Sequence, residues 1–271
     1  MTPLSSKRHV GVRVPLFWIA YLAVLGGTGI LKGMLPPSSW RDLAWGSCCA
    51  AILVPITIWF ERRFTAGSTS TVISVDRGTV LRLAIGAVIG AAVMAINLSI
   101  VRLFVGPIRL VVNDGYGRSA ALMAATFIAL SCMEELGFRG YPLRTLTAAV
   151  GGWRAQAIVA VAFGLSHLAY GWSISTILLG VIPGGILFGS AAAASGGLAM
   201  PIAVHAALNL ALWSVGAKQG SGIWTVIVPP ESQPQLDAIS PILGVATVLV
   251  LSAMTWQLRS RRQTIVQGAA G

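Results

Sequence analysis

A chain of 271 residues that is 55% hydrophobic and only 10% charged is not an ordinary soluble domain, of which roughly 25% is charged. Its net charge of +11 does not indicate nucleic-acid binding, because the basic residues flank apolar runs instead of clustering on a polar face; they read as topology signals and lipid-headgroup contacts. Cys48, Cys49 and Cys132 all lie in apolar runs with no Cys-x-x-Cys pair, which leaves neither a disulfide framework nor a cysteine metal site.

The basic start, with Lys7, Arg8 and Arg13, leads into PLFWIAYLAVLGG. That apolar run continues through Ile30 and Leu31, longer than a signal-peptide core of about 7–15 residues, so it reads as an uncleaved first helix. A spanning helix needs about 20 apolar residues. Candidates lie at about 15–33, 40–60, 80–104, 119–140, 154–170, 173–194, 198–216 and 238–258. The predicted fold is therefore all-α: one integral membrane domain over 1–271, a bundle of about eight transmembrane helices, with basic tails at 1–14 and 259–271. Pro55, Pro183 and Pro201 fall inside spans, where neighbouring helices can satisfy the freed backbone groups. Eight spans put both termini on one side. That side would hold twelve basic residues, among them Arg62, Arg63, Arg144 and Arg154, against six on the other: Lys32, Arg41, Arg102, Arg109, Arg118 and Lys218. Both termini are thus expected in the cytoplasm, and the polar loop 216–237 outside. The expected location is a prokaryotic cell membrane.

Most charges sit at span ends, where long side chains can snorkel. Glu134, Glu135 and Arg139, in CMEELGFRGY, are the exceptions. A mid-membrane charge costs roughly 2.5–3.5 kcal/mol on insertion scales, so three unpaired ones would approach the net stability of a whole domain. They must be paired or hydrated, and such residues are functional candidates by default. Glu135 and Arg139 are i, i+4, an ion-pairing spacing. Glu134 is turned about 100° around the helix. Arg139 is therefore expected to neutralise Glu135 and to leave Glu134 without a local partner, free to act as a general base. Pro142 is expected to end or kink this helix near Tyr141.

The chain has only three histidines. His9 is in the basic tail. His167 follows Phe163 by four residues at the end of the fifth predicted span. His205 and Asn209 are i, i+4 in the seventh, on one face that should look into the bundle. A single intramembrane histidine is as often inter-helix glue as a catalyst. Three polar sites on three separate spans are a stronger signal.

In order, the motifs are Glu-Glu-x-x-x-Arg (Glu134, Glu135, Arg139), Phe-x-x-x-His (Phe163, His167) and His-x-x-x-Asn (His205, Asn209). Together with ILFGSAAAASGGLAMPIAVHAALN, they resemble the CAAX-protease and bacteriocin-processing (Abi) family of intramembrane proteases. The resemblance covers 119–216. It implies an eight-helix bundle with a conical catalytic cavity and an endopeptidase acting on membrane-associated peptides: prenylated CAAX proteins, bacteriocin leaders or others. Carried over, Glu134 and His167 would activate water, His205 and Asn209 would stabilise the oxyanion, and Glu135, Arg139 and Phe163 would support them.

The residues also allow a second version in which His167, His205 and Glu134 hold zinc with an open fourth position. No His-Glu-x-x-His is present, so zinc is not read from a ligand motif. Other readings of the same cluster are a helix-end ion pair with structural histidines, a proton-coupled transporter, a catalytically silent scaffold, and a cysteine protease using Cys132. The expected partners are the bilayer and a peptide substrate, with no nucleic acid; oligomeric state is not legible.

Overall fold

The computed structural model describes the backbone of residues 3–38, 40–64, 75–218, 220 and 222–268, and the side chains of these except 3–9, 118 and 259–268. Of the basic tails expected at 1–14 and 259–271, residues 3–14 and 259–268 are helical, with side chains described for 10–14. The chain forms nine helices among the described residues, besides short single turns: α1 (Pro3–Met34), α2 (Arg41–Phe64), α3 (Thr79–Phe104), α4 (Tyr116–Phe138), α5 (Tyr141–Val150), α6 (Gly152–Ser166), α7 (Ile174–Ser195), α8 (Ala199–Ser214) and α9 (Gln233–Gly268). Helices prevail because lipid offers no hydrogen bonds, so each segment must satisfy its own backbone.

The fold is a helical bundle, as expected, but among the described residues six helical runs, not eight, are long and apolar enough to cross a membrane. The segments expected as the fifth and seventh spans are α6 and α8, with 15 and 16 residues. At 1.5 Å per residue, 16 residues reach about 24 Å, short of a hydrocarbon core of about 30 Å. The fourth span also differs. Its helix stops at Phe138, before Pro142, and Pro142 lies in the first turn of α5. A proline costs nothing there, because that N–H has no helical partner anyway. The polar loop 216–237 carries a strand: β2 (Trp224–Ile227) pairs antiparallel with β1 (Arg109–Val112), Leu110 opposite Val226.

Two close approaches fix the frame of the site. On α3, Gly86-Ala-Val-Ile-Gly90 is a small-x-x-x-small stripe. A Cβ added at Gly86 would lie 2.5 Å from the Met200 carbonyl oxygen and 2.9 Å from Ala203 Cβ, and one at Gly90 would meet the Val204 carbonyl. The backbones of α3 and α8 are therefore in contact along this stripe, the arrangement small residues allow between membrane helices. At the other end, Tyr21 of α1 lies against Gly137 of α4, where a Cβ would meet its ring, and Trp18 Nε1 donates to the Gly137 carbonyl at 3.2 Å.

Gly86→Val is expected to lower the unfolding midpoint in detergent, corresponding to about 1–3 kcal/mol of overpacking. Gly26→Ala on α1, where a Cβ meets nothing within 4 Å, should leave it unchanged. Equal midpoints for the two variants would mean that the α3–α8 contact bears no strain.

Candidate active site

The cluster is built where the C-terminal end of α4 meets the middle of α8. The i, i+4 spacing brings Arg139 Nη1 to 3.2 Å from Glu135 Oε1, with both side chains completely buried. The second guanidinium nitrogen, Nη2, donates to the Gly185 carbonyl of α7 at 2.9 Å. Gly185 allows this approach, since a Cβ there would stand 3.2 Å from Nη2. Arg139 also lies over the Phe163 ring at 4.4 Å and near Phe188 at 5.5 Å. Its charge is thus held by a carboxylate, a carbonyl and aromatic faces.

This ion pair does not stand alone, as the sequence led us to expect. Glu135 Oε1 also accepts from His205 Nδ1 at 2.9 Å, across 70 residues of chain. His205 Nε2 lies 3.5 Å from Glu134 Oε2. One imidazole therefore sits between the two adjacent carboxylates, and Glu134 has a partner, though not a local one. The two glutamates differ in access: the Glu135 side chain is sealed, whereas that of Glu134 is 15% exposed. The His205 ring is stacked on Phe188, 4.1 Å between centroids at 14°.

Phe163 comes from α6, and His167 opens the 3₁₀ turn that follows it, His167–Tyr170. His167 Nδ1 faces the Phe163 carbonyl oxygen at 2.9 Å. A carbonyl can only accept, so in this contact Nδ1 carries the proton and Nε2 keeps a lone pair. The His167 ring also meets Phe163 edge-on at 4.8 Å and Trp172 at 4.9 Å. Phe163 is thus the common wall of Arg139, His167 and His205. Among the described residues no ion pair joins His167 to Glu134. Asn209, one turn after His205, accepts through Oδ1 from Lys218 Nζ at 2.8 Å. Burial pushes the Lys218 ammonium below its ordinary value, and the Glu134 carboxylate opposes that shift. Tyr21 and Tyr170 are also within electrostatic reach of Glu134.

Of the three residues in the zinc version, His205 and Glu134 lie side by side, 3.5 Å from Nε2 to Oε2. Both His205 nitrogens are turned to carboxylates. No three His, Cys, Asp or Glu side chains among the described residues are grouped to hold a metal ion. Cys132 has no histidine partner among the described residues either, so the cysteine-nucleophile version has no base. A cavity of about 310 Å³ lies behind Arg139, lined also by Gln156, Ala192 and Trp256; it includes none of Glu134, His167, His205 or Asn209.

The sequence reading did not include Phe188, Gly185, Tyr21 or Lys218 among the site residues. Phe188 gave a faint signal as the one aromatic in a run of small residues, ILFGSAAAAS. Lys218 gave none, since it was counted as an ordinary outer-loop cation.

A family model described as type II CAAX prenyl endopeptidase Rce1-like matches residues 117–211. The matched segment contains all three motifs, in agreement with the resemblance they carry. No curated protein matches the chain.

Proposed function

We propose, from the premise that residues 117–211 are an Rce1-like domain, that this chain is an intramembrane endopeptidase that uses Glu134 as its general base. The observation that carries the reading is the access difference between two carboxylates sharing one histidine. A sealed Glu135 holds His205 Nδ1, and a partly open Glu134 faces Nε2.

The steps follow from these positions. Water against Glu134 gives its proton to the carboxylate as its oxygen attacks the peptide carbonyl carbon. The C=O π electrons move onto oxygen, and the oxyanion is met by the Asn209 carboxamide N–H and by a doubly protonated His205, which donates from Nδ1 to Glu135 and from Nε2 to the oxyanion. His167, its Nδ1 committed to Phe163, offers the Nε2 lone pair to orient the water. The tetrahedral intermediate then collapses. The C–N bond breaks, and the departing amine takes the proton held by Glu134. Glu135 keeps His205 in one orientation throughout, the task a buried carboxylate commonly performs for a catalytic imidazole. No step is routed through a metal.

The substrate class follows from the family description and the site's depth. The carboxyl-terminal peptide of a prenylated protein, lying at the membrane surface, is the proposed substrate. The excess of basic residues on one side supports cytoplasmic termini. Glu134, four residues before the end of α4, then sits near the cytoplasmic face.

The test uses purified full-length protein in detergent with a quenched fluorogenic peptide carrying a farnesylated cysteine. Wild type should cleave it, and His205→Ala should lose about 10²–10³-fold in kcat as one donor disappears. Exhaustive chelation should leave the wild-type rate unchanged. A wild-type rate for His205→Ala, or proton flux through proteoliposomes that depends on Glu134, would overturn the protease reading. A chelation loss restored by zinc would replace the water-activation step with a metal-bound one.

A further inference from the structure

Lys218 belongs to none of the three motifs and follows the end of α8 by four residues. Its side chain turns back onto that helix and donates from Nζ to Asn209 Oδ1 at 2.8 Å. The ammonium lies 5.4 Å from the centroid of the buried Phe127 ring and 5.6 Å from that of Trp172. It also lies within electrostatic reach of Glu134. A lysine that only needed water would extend away from these rings. This one is held inward by two aromatic faces and one amide oxygen.

The chemistry of the contact is directional. The two ends of a carboxamide have almost the same shape, and the terminal torsion of asparagine is broad and roughly two-fold. A free Asn209 could present either Oδ1 or Nδ2 to a substrate. An ammonium has three donors and no acceptor. Only Oδ1 can face Lys218, so the NH₂ group is left for the opposite side. We propose that Lys218 is a positioning residue that fixes the Asn209 carboxamide with Nδ2, not Oδ1, presented to the substrate's oxyanion. This rests on the reading of Asn209 as an oxyanion donor. The ammonium also polarises the amide, which makes its N–H groups better donors. An inverted amide would set an oxygen lone pair against the oxyanion.

The test is steady-state cleavage of the farnesylated fluorogenic peptide by purified full-length variants. Lys218→Glu replaces the donor with an acceptor that recruits the NH₂ group. It should lower kcat by about 10²–10³-fold, the cost of one lost oxyanion donor, with little change in KM. Lys218→Arg, again a donor without an acceptor, should restore kcat to within a few-fold of wild type. Lys218→Met should lie between them. In an Asn209→Ala background, Lys218→Met should cause no further loss, because residues that act through one another are not additive. Equal kcat for Lys218→Arg and Lys218→Glu would overturn the proposal. So would a Lys218→Met loss of the same size with and without Asn209, since that is the mark of a merely structural lysine. If Lys218→Met does not fold, the Arg and Glu variants carry the comparison. Wild-type kcat in Asn209→Ala alone is a different result, which removes Asn209 from the oxyanion site and the positioning role with it.

Discussion

Glu134→Gln is expected to lower cleavage of a farnesylated peptide by about 10²–10⁴-fold, the range for losing a general base, while the unfolding midpoint stays close to that of wild type. The side chain keeps its shape and loses only its ability to take a proton. Its position supports a small structural cost, because of the two adjacent glutamates it is the partly open one and its contact with His205 Nε2 is 3.5 Å long. Glu135→Gln should behave differently. Glu135 Oε1 accepts from both Arg139 and His205. An amide oxygen in that place would keep both contacts, and its NH₂ would fall where Oε2 has no partner, but the negative charge is lost and the buried guanidinium is left uncompensated. That variant should lose stability, and it should also lose activity as the hold on His205 weakens. The i, i+4 pairing with Arg139 would by itself imply a cost mainly in stability; the shared histidine adds the second effect. Wild-type turnover by a folded Glu134→Gln protein would remove Glu134 from the reaction.

Arg139→Met should have the largest effect on folding. The guanidinium and Glu135 are both fully buried, and removing one member of such a pair typically costs about 3–5 kcal/mol, because the remaining charge is left uncompensated. A domain's whole net stability is about 5–15 kcal/mol. The variant should unfold far below the wild-type temperature or fail to accumulate in membranes. Adding Glu135→Leu removes the stranded carboxylate and should recover most of the lost stability. Turnover should not return, since His205 Nδ1 then has no acceptor. Thermal unfolding and peptide cleavage, measured on the single and double variants together, separate the two roles. A single variant as stable as wild type would show that the pair contributes little.

What could be read in the sequence follows the reach of helical geometry. Glu135 with Arg139 and His205 with Asn209 are one turn apart, so their shared faces follow from the 3.6-residue period. The contacts that join these pairs follow from no local period. His205 reaches Glu135 across 70 residues, and Arg139 reaches Gly185 across 46. Each depends on how far two helices are rotated and how deeply they interpenetrate, which the packing of small residues decides. The span count was affected for a related reason. The α6 and α8 segments are apolar enough to read as spans, but they end at Ser166 and Ser214, and Gly171 and Gly216, both with left-handed φ, follow the turns that close them. The ribbon of β1 and β2 was illegible because its strands have four residues each and lie on opposite sides of the motif-bearing helices.

The contact of Gly86 and Gly90 with α8 bears on modularity. The recognisable segment begins at residue 117, but the His205 helix rests against α3, and the Glu134 helix is gripped at Gly137 by Trp18 and Tyr21 of α1. A fragment excised at the edges of the motif-bearing region would lose the surfaces against which α4 and α8 are set. The signature is a unit of sequence and not a unit of folding. Grafting it onto other flanking helices would require a matching glycine stripe as well as a matching length.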